Sequence, residues 1–279
     1  MHTQTSTLTR AALRGAAVAA CFAAASAHAI TVKVKVENVS ASDGLWFTPV
    51  FFGFHDGSFD TFDPGLPAPT AIEAVAEQGD ASGLVAAISG TAGAKSNVLM
   101  QDGSGAPPGV LFAPGESNYF TIDLDSMYNR YLSFASMLLP SNDAFFGNDM
   151  PTDYELFDIH GNFKGYQEIN LFGSSIWDAG TELNDFMGAP FSPLGGVSTD
   201  TMGSVSLLGQ AGLDAFNGAA QATGNNLSSS LMASDPIARI SIQQVPDSTQ
   251  YIGFMGAIAL LGFRYVTRKR MGTEAAPES

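Results

Sequence analysis

The sequence predicts a mostly β protein, an antiparallel β-sandwich with one or two short helices. Three observations predict it. Residues 30–36 alternate strictly, with Ile30, Val32, Val34 and Val36 on one face and Thr31, Lys33 and Lys35 on the other, the period of a half-buried strand. Short β-rich runs recur along the chain, bounded by Gly, Pro, Asn and Asp clusters, as antiparallel sandwiches require. The 279 residues are 45% hydrophobic with 20 Phe, enough apolar material for a core in one sizeable domain.

In chain order, the first strand is followed by β-rich runs at 45–54, 110–112, 118–124, 131–139, 154–157 and 237–242. A helix is predicted over 71–77, where Pro69 and Thr70 supply a start signal, and a second near 180–186. Between Ser198 and Ser234 the composition shifts to Gly, Ala, Ser and Asn, which predicts a long, loosely ordered excursion before the last strand. No repeat of solenoid or propeller period is present.

Both ends read as sorting segments. Arg10 and Arg14 precede a small-residue apolar run from Gly15 to Ala27, closed by Ala27-His28-Ala29, the layout of a secretory signal peptide over 1–29. A lipoprotein signal at Cys21, the only cysteine, is the competing reading, but Arg14 leaves a very short apolar run before it. At the other end Val245-Pro246-Asp247-Ser248 precedes an apolar stretch, Tyr251 to Phe263, and then Arg264, Arg268, Lys269 and Arg270. Thirteen residues of helix span roughly 20 Å, short of a bilayer core of about 30 Å. Extension to Val266 requires Arg264 to snorkel. The basic cluster should stay cytoplasmic, with everything before it outside. The expected organisation is therefore a signal peptide (1–29), an exported domain (30–244), a sorting or transmembrane segment (245–270) and a cytoplasmic tail (271–279).

Charge narrows the function. The chain carries 12 Lys and Arg against 27 Asp and Glu. Residues 30–246 keep six of those cations and all but three of the acids, a net charge of −18. Such a surface cannot replace counterions along phosphates, so nucleic acid is excluded as a partner. The body has no cysteine for disulfides, and its surplus of carboxylates invites divalent cations. Trp177-Asp178-Ala179-Gly180-Thr181-Glu182 sets two acids four residues apart around a glycine, and Asp143 follows a predicted strand. Calcium takes about 6 to 8 hard oxygen ligands, and these acids suit it; they are equally suited to capping a turn or helix.

His55, with Asp56, Asp60 and Asp63 after it, is a weaker candidate as a base or ligand, because Gly57-Ser58 reads as a turn. No Gly-x-Ser-x-Gly nucleophile turn, phosphate-binding Gly-rich lysine loop or two-His zinc helix occurs. The aromatic pairs Phe51-Phe52, Phe145-Phe146 and Trp46-Phe47 are read as core rather than as an exposed sugar platform.

Two resemblances add to this reading. The tail resembles the PEP-CTERM class of bacterial sorting signals in its Val-Pro-Asp-Ser-Gly form, with Thr249 in place of Gly; this implies recognition by an exosortase-type transpeptidase. Five segments resemble the spondin N-terminal domain family and stand in its order: Gly53 to Asp60, Arg130 to Met137, Leu139 to Gly147, Trp177 to Glu182, and Pro236 to Arg239. Together they cover roughly 30–242. The resemblance implies a C2-like antiparallel β-sandwich, an extracellular adhesion or matrix role and a bound calcium ion. It also implies the ligands: the side chains of Asp143, Asp178 and Glu182 and the backbone carbonyl of Ile237, with Asp149 as an outer candidate. Glu182 stands where the family usually has Asp.

The expectation is thus an exported, surface-associated, calcium-binding adhesion or matrix-interaction module without catalytic activity. Its partner would be an extracellular polysaccharide or an envelope component. The alternatives are an extracellular polysaccharide hydrolase using Asp143 with Asp178 or Glu182 across about 5 to 10 Å, and a purely structural envelope protein.

Overall fold

The computed structural model describes residues 29–103, 109–190, 194–221, 226–227 and 230–246. The expected signal peptide, apart from Ala29, and nearly all of the expected sorting segment therefore lie outside the described residues. Among the described residues, no helix is long and apolar enough to cross a membrane.

The fold is mostly β and antiparallel. The strands are β1 (Ile30–Asn38), β2 (Trp46–Phe47), β3 (Val50–His55), β4 (Lys95–Leu99), β5 (Ser117–Leu124), β6 (Tyr131–Leu139), β7 (Ala144–Gly147), β8 (Tyr154–Glu155), β9 (Gln167–Phe172), β10 (Ile176–Asp178), β11 (Ser206–Leu207) and β12 (Pro236–Gln244). Among the described residues three short α-helices accompany them, α1 (Thr70–Gln78), α2 (Ser82–Ile88) and α3 (Gly209–Ala215), with a 3-10 turn at Gly173–Ser175. One sheet runs β5-β1-β12-β9; the other runs β11-β10-β7-β6-β3-β4, with β2 and β8 also on β6.

The predicted alternation of β1 is realised. Val32, Val34 and Val36 are fully buried, whereas Lys33 turns outward onto the Tyr119 ring and Lys35 pairs with Glu37. Strands β3, β6 and β7 do not alternate, because both of their faces are covered. Phe52, Phe54, Phe134 and Phe146 join the core shared with the four-stranded sheet. Phe51, Ala135 and Phe145, from the opposite face, pack against Ile72, Val75 and Ala76 of α1 and Leu84 and Ile88 of α2. A strand buried on two sides reads as a continuous apolar run rather than an alternating one. The aromatic pairs are core, as expected, with Phe47, Phe51, Phe52 and Phe145 wholly buried.

Helix α2 approaches β3 closely where Gly53 has no side chain. A Cβ at that position would stand 2.7 Å from Cδ1 of Ile88. Helix α1 is amphipathic and ends at Gly79, whose φ of 67° lets Gly79 N–H donate to the Val75 carbonyl and Asp80 N–H to the Ala74 carbonyl. Its start differs from the expectation of a Pro69-Thr70 cap: Pro69 takes the N-cap position, and no side chain caps the helix.

Three further expectations are corrected. Residues 180–186 form bends and one β-bridge, Glu182 with Asp200, rather than a helix, because their backbone groups are held by loop contacts described below. Residues 110–112 contribute only a bridge between Phe47 and Phe112. Within 198–234 the described residues are not a loose excursion: they include β11 and α3, and Leu213, Phe216, Leu227 and Leu231 enter the main core.

Candidate functional site

The β6–β7 connection carries the site. Ser141, Asn142 and Asp143 are all fully buried. Ser141 locks the turn with its hydroxyl, which donates to the Leu138 carbonyl at 2.5 Å and accepts from Ala144 N–H at 3.1 Å. Antiparallel pairing of β7 with β10 then sets Ala144 opposite Asp178, which brings Asp143 beside the loop that leaves β10. The link is closed by Ala179 N–H, donating to the Asp143 carbonyl at 3.1 Å.

That loop turns at Gly180, with φ 73°. A Cβ there would meet Ser204 N at 2.8 Å, so both the handedness of the turn and its contact with the 203–204 backbone select glycine. The turn aims two N–H groups back at the carboxylate: Thr181 and Glu182 each donate to Asp143 Oδ2 at 3.0 Å. Asp178 Oδ1 accepts from Gly180 N–H at 2.7 Å, and its Oδ2 accepts from Asn184 Nδ2 at 2.8 Å. Asn142 fastens the far side. Its Oδ1 accepts from Phe186 N–H at 2.7 Å, and its Nδ2 donates to the Met187 carbonyl at 2.9 Å and Glu182 Oε2 at 3.3 Å.

Two atoms of the site are left over. Asp143 Oδ1 and Thr181 Oγ1 are buried and have no hydrogen-bond partner. Burial, and then the neighbouring Asp178 carboxylate, push the Asp143 carboxyl up to about 6, against the Glu182 and Thr181 N–H groups and the nearby Asn184 amide, which favour its ionised form. Asp178 is also raised, by burial. Two desolvated carboxylates in mutual repulsion, one with an orphaned oxygen, form an arrangement that a bound cation or a shared proton relieves.

The residues expected as ligands are partly assembled. Asp143 and Asp178 adjoin, and Glu182 belongs to the same loop with its carboxylate directed to Asn142. Ile237 is in the other sheet, where its carbonyl accepts from Val39 N–H at 3.0 Å and Ser40 Oγ at 3.3 Å. Both lone pairs are therefore already engaged. Asp149, beyond the far end of β7, is a neighbour of Asp60 and Asp153 instead. As they stand, no three His, Cys, Asp or Glu side chains among the described residues form a group that could hold a metal ion. The Asp143–Asp178 pair nonetheless fits a hard cation by its charge and by the free Oδ1.

His55 is a structural residue. It is fully buried on β3, its Nε2 shares a 3.0 Å hydrogen bond with Ser133 Oγ, and its Nδ1 accepts from Gly57 N–H at 3.1 Å. An accepting Nδ1 identifies the neutral Nε2–H tautomer, and burial lowers the imidazole to about 4. Asp56 points outward to Ser58.

Sequence reasoning passed over a cleft of about 600 Å³ beside the site. Its lining includes Glu73 and Glu77 of α1, Gly180, Thr181, Asp200 and Met202. Glu73 and Glu77 stand four residues apart on the predicted helix, a spacing that marks them as facing the same way. Compared with known proteins, the chain matches no family model and no curated protein at a significant level.

Proposed function

We propose that this chain is an exported, surface-associated module for adhesion or matrix interaction, built on a spondin-like sandwich and pinned by one calcium ion at Asp143, Asp178 and Glu182. The observation that carries the reading is Asp143, fully buried with Oδ1 unpartnered and the half-buried carboxylate of Asp178 beside it. Calcium would be held by the two aspartates, with the Glu182 side chain drawn from the same loop. Its role would be to neutralise charge and tie the β6–β7 turn to the loop after β10. No chemistry on a substrate is required. The partner would be an extracellular polysaccharide or another envelope component, reached after export by the N-terminal signal and sorting through the tail.

Catalysis by the Asp143 pair has less support, because a residue with no exposed surface cannot touch a polysaccharide. The test is thermal unfolding of the full chain in calcium and in chelator. Binding to the native state alone adds about 2.7 kcal/mol at a hundredfold excess over Kd, which for a domain of this size is a rise of roughly 5–10 °C. An unchanged midpoint in calcium refutes the metal.

A further inference from the structure

The end of helix α1 is electrostatically wrong for a protein without a bound cation. Glu77 is half-buried in its last turn, where the helix carbonyls already concentrate negative charge, and no basic residue stands in that turn. Its charged neighbours are Glu182, Glu73 and Asp143, all of the same sign, and only the nearby Thr181 side chain favours its ionised form. It lines the cleft together with Gly180 and Thr181, the residues whose turn addresses Asp143. None of the cleft-lining residues is basic.

The helix has little freedom to move Glu77 elsewhere. Ile72, Val75 and Ala76 anchor α1 in the core against Phe51, Ala135 and Phe145, and Gly79 ends it two residues later. Desolvation, the helix end and like charges all oppose this carboxylate, and one divalent cation offsets all three. The unpartnered Oδ1 of Asp143 independently marks a ligand position next to it.

We infer that Glu77 is a further carboxylate ligand of this site, contributed by α1 from the cleft side. The inference rests on the calcium reading above. Its consequence is that the cation joins three parts of the chain, the β6–β7 turn, the loop after β10 and the end of α1. The cleft is then the route by which the ion enters.

Calcium titration calorimetry on the full chain tests this, with Glu77→Gln, Glu77→Asp and Glu73→Gln. Glu77→Asp keeps the charge and withdraws the carboxylate by one methylene, and Glu73→Gln removes an equal charge from the same cleft. Loss of at least about tenfold in affinity for both Glu77 variants, with Glu73→Gln within about twofold of the parent, supports ligation. Terbium luminescence lifetimes should then report about one more bound water in Glu77→Gln. Parental affinity in either Glu77 variant, or equal loss in Glu73→Gln, overturns the role of Glu77 while leaving the Asp143 site standing. Absence of calcium binding by the unmodified chain overturns both.

Discussion

Asp143 and His55 are both fully buried, and their titrations act on stability in opposite directions. The folded Asp143 carboxyl, at about 6 against an ordinary 3.8, holds its proton more tightly than the unfolded chain does. Its contribution is therefore present below about pH 4 and lost as pH rises through 6. The folded imidazole, at about 4 against 6.5, binds its proton less tightly than the unfolded one. Its contribution is present above 6.5 and lost as pH falls toward 4. Each is worth up to about 3 kcal/mol, so in calcium-free protein the two slopes nearly cancel between pH 4 and 6. Urea unfolding across this range should find a shallow profile in the parent. Asp143→Asn removes one slope and should leave a steady loss of stability toward acid. An amide oxygen can still accept from Thr181 and Glu182, so the same variant, unfolded in chelator at pH 7, should be more stable than the parent by about 1–3 kcal/mol. It should also lose its calcium response. A less stable variant would show that the ionised carboxylate is not a cost.

The site depends on elements that arrive from distant parts of the chain. The loop after β10 presents its N–H groups only because Gly180 accepts a φ of 73°. In Gly180→Ala the new Cβ would also crowd the Ser204 backbone. Chemical unfolding should record a loss of more than about 1 kcal/mol, together with weaker calcium binding. Gly53→Ala should destabilise by about 1–3 kcal/mol through the contact with Ile88 while leaving calcium affinity intact, since it lies on the α2 side of β3. Equal effects of the two substitutions on calcium binding would mean that the loop is not the specific carrier of the site. Strand β1 and helix α1 were legible in the sequence because each has one buried face and hence a clear period. Strands β4, β9 and β10 were not: Lys95–Leu99 is largely polar, and β9 and β10 owe their pairing to partners far along the chain. The helix expected at 180–186 fails for a related reason, since its acids are spaced for a helical turn but its backbone groups bond to residues 143 and 199–203.

At the scale of the molecule, residues 30–246 carry −18 against only six fixed cations. Among the described residues several of these cations are already paired on the surface, as in the Arg130–Glu155–Lys164 network. Uniform repulsion opposes the compact state, so in chelator added sodium chloride should raise the unfolding midpoint by screening. With calcium bound the salt effect should shrink. A midpoint that falls with salt would mean that local ion pairs outweigh the net charge.

By itself the sequence determined the fold class, the register of burial on β1, the aromatic core and the acids worth watching, because period and composition are local properties. It also supplied the sorting signals at both ends as expectations. Only the tertiary structure decided that Asp143 meets Asp178, that Ile237 spends its carbonyl on Val39 and Ser40, and that Glu77 borders the same cleft. Those outcomes follow from strand pairing and helix docking across separations from 35 residues (Asp143 to Asp178) to 197 (Ser40 to Ile237), where the energy of a carboxylate is set by its burial and its neighbours, and neither is written in the residues adjacent to it.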